Sequence, residues 1–298
     1  MNLIIDRKRA KMVIQRLYVA FSQRQGLLSE LENLVENQIP EGVSPLSREH
    51  SLFLFFTVFN DHGMKSVRLY SLAKKLFHLQ PEIFDPARVL ATFTGPEDPD
   101  LVAATGIYLS VRYPKVTAAN WYVNSKRLCD LYSADPRNLF SSTAKAAGLL
   151  DAITQFRGYG PKTGGMLLRA VIGLGFAKVT GLEEVLLPVD IHDSRISFLT
   201  GMIRAGDNRT VSPTDYYRHV PQIQRMLLDT CNALGLSWLN VDRALWIIGS
   251  RGCVDTRCQL CPINDFCGLG QKTLKSQVCR QEVPARLSCN NVEPAPIH

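Results

Sequence analysis

The chain has 298 residues, 46% hydrophobic and 20% charged, with 34 Lys and Arg against 27 Asp and Glu for a formal net charge of +7. That length can bury a proper core, and the ordinary composition excludes a fibrous or low-complexity chain. The basic balance suits a polyanionic partner, and the longest apolar run, residues 52–59, is far short of the ~20 residues a membrane span needs.

Asp6, Arg7, Lys8 and Arg9 interrupt any apolar stretch at the start of the chain. A secretory signal is therefore not expected, and the expected location is the cytoplasm or nucleoid. The basic residues of this segment, Arg7, Lys8, Arg9, Lys11, Arg16 and Arg24, read as a solvated helix face. Apolar positions then recur at three- and four-residue steps over 27–35, 50–59, 67–77, 124–132, 144–156, 166–172 and 222–234. No alternating strand pattern stands out, so the fold class expected is all-α. Turn signals such as Gly95-Pro96, Asp98-Pro99 and Asp135-Pro136 separate the helices.

Three patches carry chemistry. The first is Phe156-Arg-Gly-Tyr-Gly-Pro-Lys-Thr-Gly-Gly165. Gly158 and Gly160 permit positive φ and close backbone approach, and Pro161 suits a first helical turn. The free N–H groups at that helix start can hold a phosphate. By spacing alone, a plain Gly-rich turn between helices is equally compatible. The second patch, Leu187-Pro-Val-Asp-Ile-His-Asp-Ser-Arg195, puts Asp190 at a helix start, where it reads as an N-cap. The third holds four of the eight cysteines, Cys253, Cys258, Cys261 and Cys267, in a C-x4-C-x2-C-x5-C array. Without an export signal such an array reads as a metal site rather than a disulfide framework, with tetrahedral zinc and an iron–sulfur cluster as the candidates. Cys129 and Cys231 lie in helical patterns and read as small core residues, while Cys279 and Cys289 sit in a polar tail, residues 269–298, expected to be disordered.

Taken together, and in this order along the chain, the three patches resemble the helix-hairpin-helix DNA glycosylases, specifically the endonuclease III branch. The hairpin resembles that branch's x-G-x-G-x-K-T-A, with Gly164 in the place of Ala; the second patch resembles V-D-T-H-x-x-R, with Ile191 for Thr. The first cysteine spacing is two residues shorter than the branch's, and the interval from Lys162 to Asp190 is longer, which bears on the shape of the base pocket. The resemblance implies two helical domains with a DNA cleft between them. One is a helical barrel over 49–186, and the other joins 1–48 to 187–268 around the cysteine loop.

By resemblance, Lys162 attacks the sugar C1′ and Asp190 assists; Asp193, one helical turn further in, is a rival that fits no motif position. A lysine of ordinary basicity is protonated and a poor nucleophile at neutral pH, so this role implies a buried site. The four cysteines would hold a [4Fe–4S] cluster of structural role, zinc being the lesser alternative. The implied partner is double-stranded DNA carrying a lesion, engaged by a monomer. Gly158, Gly160, Thr163, His192, Arg195, Arg251 and Arg257 are the expected DNA-binding residues. The base must leave the stack and something must fill the gap. Loop 60–65, with Asn60, and segment 119–126, with Trp121, Tyr122 and an Asn124-Ser-Lys126 similar to the branch's Y-N-S-K, are the candidates. The expected activity is a glycosylase with lyase function, the base an oxidised pyrimidine. Three alternatives stay open at this point: a monofunctional glycosylase using water activated by Asp190, a non-catalytic DNA-binding or redox-sensing protein, and a zinc-bearing nuclease accessory factor.

Overall fold

The computed structural model describes residues 2–61, 64–207 and 211–281. It is helical almost throughout. The exception is a two-stranded antiparallel ribbon, β1 (Leu3–Ile5) with β2 (Ile203–Ala205), in which Ile4 pairs with Arg204. The helices in chain order are α1 (Arg7–Ser22), α2 (Arg48–Val58), α3 (Ser66–Leu79), α4 (Pro86–Thr92), the single turn α5 (Pro99–Leu101), α6 (Pro114–Tyr132) and α7 (Pro136–Phe140). There follow α8 (Ala146–Thr154), α9 (Pro161–Leu174), α10 (Ile191–Leu199), α11 (Pro213–Arg218), α12 (Val220–Ala233), α13 (Trp238–Ile247) and α14 (Gly268–Gln281). Among the described residues, no helix is long and apolar enough to cross a membrane.

The apolar run predicted as a core helix is α2. Its Ser47 hydroxyl accepts from the His50 N–H at 3.1 Å, satisfying one of the free donors of the first turn. Every residue from His50 to Val58 is buried. Phe53, Phe55 and Phe56 meet Phe84, Trp121, Phe156 and Tyr159 in a chain of edge and stacked contacts, the closest being Phe56 on Trp121 at 4.8 Å between centroids. Around this aromatic centre α2 lies against α3, α7 and α9, while α8 lies against α9. On the other side α1 packs against α12 and α13, and α10 against α11, α12 and α13. All these side chains belong to one contiguous core.

Several expectations are corrected. Residues 27–35 form short 3-10 turns, Gly26–Ser29 and Leu31–Asn33, instead of a helix. Gly26 sits at φ 53°, and a Cβ there would lie only 2.2 Å from the Leu260 carbonyl oxygen, so the segment is laid flat against the cysteine loop. Residues 269–281, expected in a disordered tail, continue as α14; residues 282–298, including Cys289, lie outside the described residues. The longer Lys162–Asp190 interval packs back onto the helices. Its turn Leu182–Glu184 packs on α8 and α12, and the Leu182 carbonyl accepts from the Trp238 indole N–H at 2.9 Å.

Candidate active site

The hairpin is built from both sides. Asn124 of α6 clamps its approach with two bonds to the Arg157 backbone: the side-chain Nδ2 donates to the carbonyl at 2.9 Å, and Oδ1 accepts from the N–H at 2.8 Å. Gly158 adopts φ 85°, the left-handed region open chiefly to glycine, with Phe59 and Asn120 packed against it. The Thr163 hydroxyl donates to the Gly158 carbonyl at 3.0 Å and accepts from the Gly160 N–H at 3.1 Å. Thr163 is therefore buried inside the hairpin and occupied, rather than turned to DNA as expected. Gly160 is extended, at φ −86°, and has open space where a Cβ would stand. Gly158 and Gly160 are exposed at the tip of the hairpin, while Tyr159 between them is buried.

Lys162, in the first turn of α9, faces Asp190, the N-cap of α10. Their Nζ and Oδ2 atoms are 3.6 Å apart. The two carboxylate oxygens are divided between tasks. Oδ1 accepts from the His192 N–H at 2.7 Å and from the Asp193 N–H at 3.4 Å, while Oδ2 is the atom turned to Lys162. Asp193 returns the favour by accepting from the Asp190 N–H at 2.8 Å, closing a capping box. Asp193 is thus part of the support: burial, with the charges of Asp190 and Asp242 adding to it, holds its carboxyl well above the usual range. The burial expected for Lys162 is not found. Its side chain is 40% exposed, against 10% for Asp190, because it stands on the floor of an open cavity.

That cavity measures about 890 Å³. Lys162 and Met166 of α9 and Asp190 to His192 form its floor. Asp61, Met64 and Ser66 to Arg68 also line it, as do Tyr217, Trp246 and Arg251. Nothing from residues 174–187 reaches it, so the longer interval does not shape this space. The loop just after α2 does so instead, although residues 62–63 of the expected wedge loop 60–65 lie outside the described residues.

The remaining expected DNA contacts divide. Trp121 is fully buried and donates its indole N–H to the Ile83 carbonyl at 2.9 Å. Asn60 is buried too, donating to the Phe56 carbonyl at 3.0 Å and accepting from the Thr117 hydroxyl at 3.0 Å. Both are interior residues, because α6 begins at Pro114 and carries Trp121 into the core rather than onto a loop. Tyr122 is half-buried against the same core. Arg195 turns inward, donating to the Gly249 carbonyl at 2.6 Å with His192 Nδ1 at 3.0 Å. It fastens α10 to a π turn, Ile248–Cys253, where a Cβ on Gly249 would strike His192. Burial holds the His192 imidazole below its usual value. Arg257 is spent on Glu30, at 2.5 and 3.1 Å. Arg251 lines the cavity and reaches Glu30 only at 4.0 Å, the more available of the two cations. Arg9, expected on a solvated face, donates to the carbonyls of Thr200 and Phe266 and so pins the cysteine loop.

The four array cysteines are free and half-buried on one loop. Among the described residues, no three His, Cys, Asp or Glu side chains are gathered closely enough to hold a metal ion. The donor set still fits a thiolate-held group. Burial, with the neighbouring array cysteines adding to it, pushes Cys253 up to about 11 and Cys261 to about 12, so these sulfurs ionise at neutral pH only against a cation. The Gly270 N–H is already directed at Cys267 Sγ, at 3.3 Å.

The sequence matches no protein-family model and no curated protein. A solved structure of a trapped endonuclease III–DNA covalent intermediate, the estranged-adenine complex, shares the fold at a TM-score of 0.56. The match covers 91% of this chain and 100% of that one at 16% identity. The chain therefore has the all-α, helix-hairpin-helix fold of endonuclease III.

Proposed function

We propose that the chain is a DNA glycosylase with lyase activity, acting on a damaged base flipped out of double-stranded DNA. The observation that carries this reading is the Lys162 Nζ–Asp190 Oδ2 pair, 3.6 Å apart on the floor of a cavity beside an exposed hairpin tip. The phosphate backbone would lie on the Gly158–Gly160 tip and the start of α9, with Arg251 at the cavity rim. The extruded nucleotide would enter the cavity lined by Asp61, Met64, Tyr217 and Trp246, where the two aromatic rings offer stacking surfaces.

Asp190 Oδ2 accepts a proton from the Lys162 ammonium, and the freed amine attacks C1′. The C1′–N bond breaks and the base departs with its electrons. Loss of a further proton and ring opening give the Schiff base between Lys162 and the sugar, and β-elimination then nicks the strand 3′ to the lesion. Asp190, rigid through its capping bonds, also stabilises positive charge developing on the sugar. The monofunctional alternative needs Asp190 to hold a water instead, and the engagement of Oδ2 by Lys162 favours the lysine. Cys253, Cys258, Cys261 and Cys267 would hold a [4Fe–4S] cluster, which when bound cross-links the loop and supplies no glycosidic chemistry. Oxidised pyrimidines are the substrate class proposed.

The test is a single-turnover assay on duplexes each bearing one lesion, run with and without sodium borohydride. A covalent adduct trapped with at least one lesion is the expected result. Base release without trapping would replace Lys162 by Asp190 and water, and binding without release would leave a non-catalytic DNA-binding protein.

A further inference from the structure

The apolar helix α2 delivers a carboxyl group into the cavity. Asp61 closes the turn after α2, its N–H bonded to the Val58 carbonyl at 3.0 Å, and only 4% of the residue is exposed. Its Oδ1 accepts from the Ser66 hydroxyl at 2.8 Å. Its Oδ2 is buried and has no hydrogen-bond partner. The residue lines the same cavity as Lys162 and Asp190. A buried carboxyl oxygen is seldom left unpaired, because the lost hydration is not recovered. Asp61 stands at the edge of the cavity, so an occupant of that cavity is the partner the structure leaves open to Oδ2.

Resting on the glycosylase reading, the geometry points to Asp61 as the general acid of the reaction, which hydrogen-bonds the expelled base through Oδ2 and protonates it. The step balances. The Lys162 amine, having given a proton to Asp190, donates its lone pair to C1′. The C1′–N electrons go to the base, the base takes the Oδ2 proton, and Asp61 is left as a carboxylate to be reprotonated from solvent. Two carboxyls thus take opposite roles through opposite surroundings. Asp190 is held by backbone donors beside a cation. Asp61 is pushed above the usual carboxylate range by burial, which outweighs the lowering by Ser66, Lys162 and Arg169; Asp190 adds to the rise. The Tyr70 hydroxyl, itself kept neutral by burial, is a further titratable group near it among the described residues. In its acid form Asp61 has a proton on an oxygen that no protein group occupies, and that proton is the one the proposed step transfers.

The experiment compares two reactions of the full chain and of Asp61→Asn. One is base release from a lesion duplex that the wild type processes. The other is borohydride trapping on the same duplex with the base already removed. Asparagine keeps an acceptor for Ser66 and has no proton to transfer. Release is expected to fall about 10²-fold, trapping on the abasic duplex to hold, and the loss of release at high pH to vanish from the profile. Ser66→Ala, which leaves Asp61 in place but removes its donor, is expected to move that limb to higher pH, and it serves if Asp61→Asn does not fold. Equal loss of both reactions would make Asp61 structural, and no loss of release, or an unmoved limb in Ser66→Ala, would also overturn the assignment. A wild type that traps the abasic duplex but is indifferent to Asp61→Asn sinks only this inference; one that neither releases nor traps sinks the glycosylase reading with it.

Discussion

At the scale of single residues, the division of labour within Asp190 makes chemistry and stability separable. Oδ1 caps α10 and Oδ2 faces Lys162. Asparagine is as good an N-cap as aspartate, so Asp190→Asn should keep the melting temperature close to the wild type. Without the carboxylate, base release should fall by about 10²-fold or more. Calorimetry beside single-turnover kinetics checks both halves, and a variant that loses stability and activity together would contradict the division. The helix starts that carry Lys162 and Asp190 were legible in the sequence, because glycines, proline and a cap fix them one residue at a time, whereas the pairing of the two was implied by the resemblance alone. Asp61 was not legible: one acid after an apolar run reads as a turn residue, and nothing local reveals that the helix buries it. Trp121 and Asn60 were misread for the converse reason. Their neighbours look like loop, whereas α6 starts seven residues before Trp121 and seats it on Phe56.

At the scale of elements, the contact between α8 and α9 decides how the hairpin is held. A Cβ on Gly164 would meet Thr154 Cγ2 at 3.0 Å, the flexible end of a side chain that can give slightly. A Cβ on Gly165 would stand 2.8 Å from the ring of Pro188, just before Asp190. Alanine raises helix propensity by about 1 kcal/mol over glycine, which can offset the milder clash. Gly164→Ala is therefore expected to stay within about 1 kcal/mol of the wild type, while Gly165→Ala loses roughly 1–3 kcal/mol through overpacking. Denaturant midpoints measure the difference, and equal stabilities would contradict the close approach. Helical period made α2, α3, α9 and α12 legible, since each buries one stripe or is buried all round. The stretch 27–35 carries the same period yet folds as 3-10 turns. Its shape is imposed by the Leu260 backbone, more than 200 residues further along the chain, a long-range constraint that no local pattern records.

At the scale of the molecule, α9 is anchored behind the site by a buried ionic cluster. Arg169 bonds Glu36 at 3.0 Å and Asp242 at 2.5 Å, and Arg243 reaches the same Glu36 at 2.9 Å. The cluster joins α9, α13 and the turn Val35–Asn37, so it sets the angle between the helix that bears Lys162 and those that frame Asp190. Replacing Arg169 by Met leaves Asp242 buried without its cation and should destabilise by about 3–5 kcal/mol, read from chemical denaturation; a loss below about 1 kcal/mol would mean that the cluster carries little. No sequence spacing announces this arrangement, because its members lie at positions 36, 169, 242 and 243. The whole arrangement converges on one amine, and the most direct test is where the sugar becomes attached. After borohydride trapping on a lesion duplex and proteolysis, mass spectrometry should find the added sugar on the peptide containing Lys162, and Lys162→Ala should yield no adduct. Adduct on another residue, or an undiminished adduct in Lys162→Ala, would contradict the account.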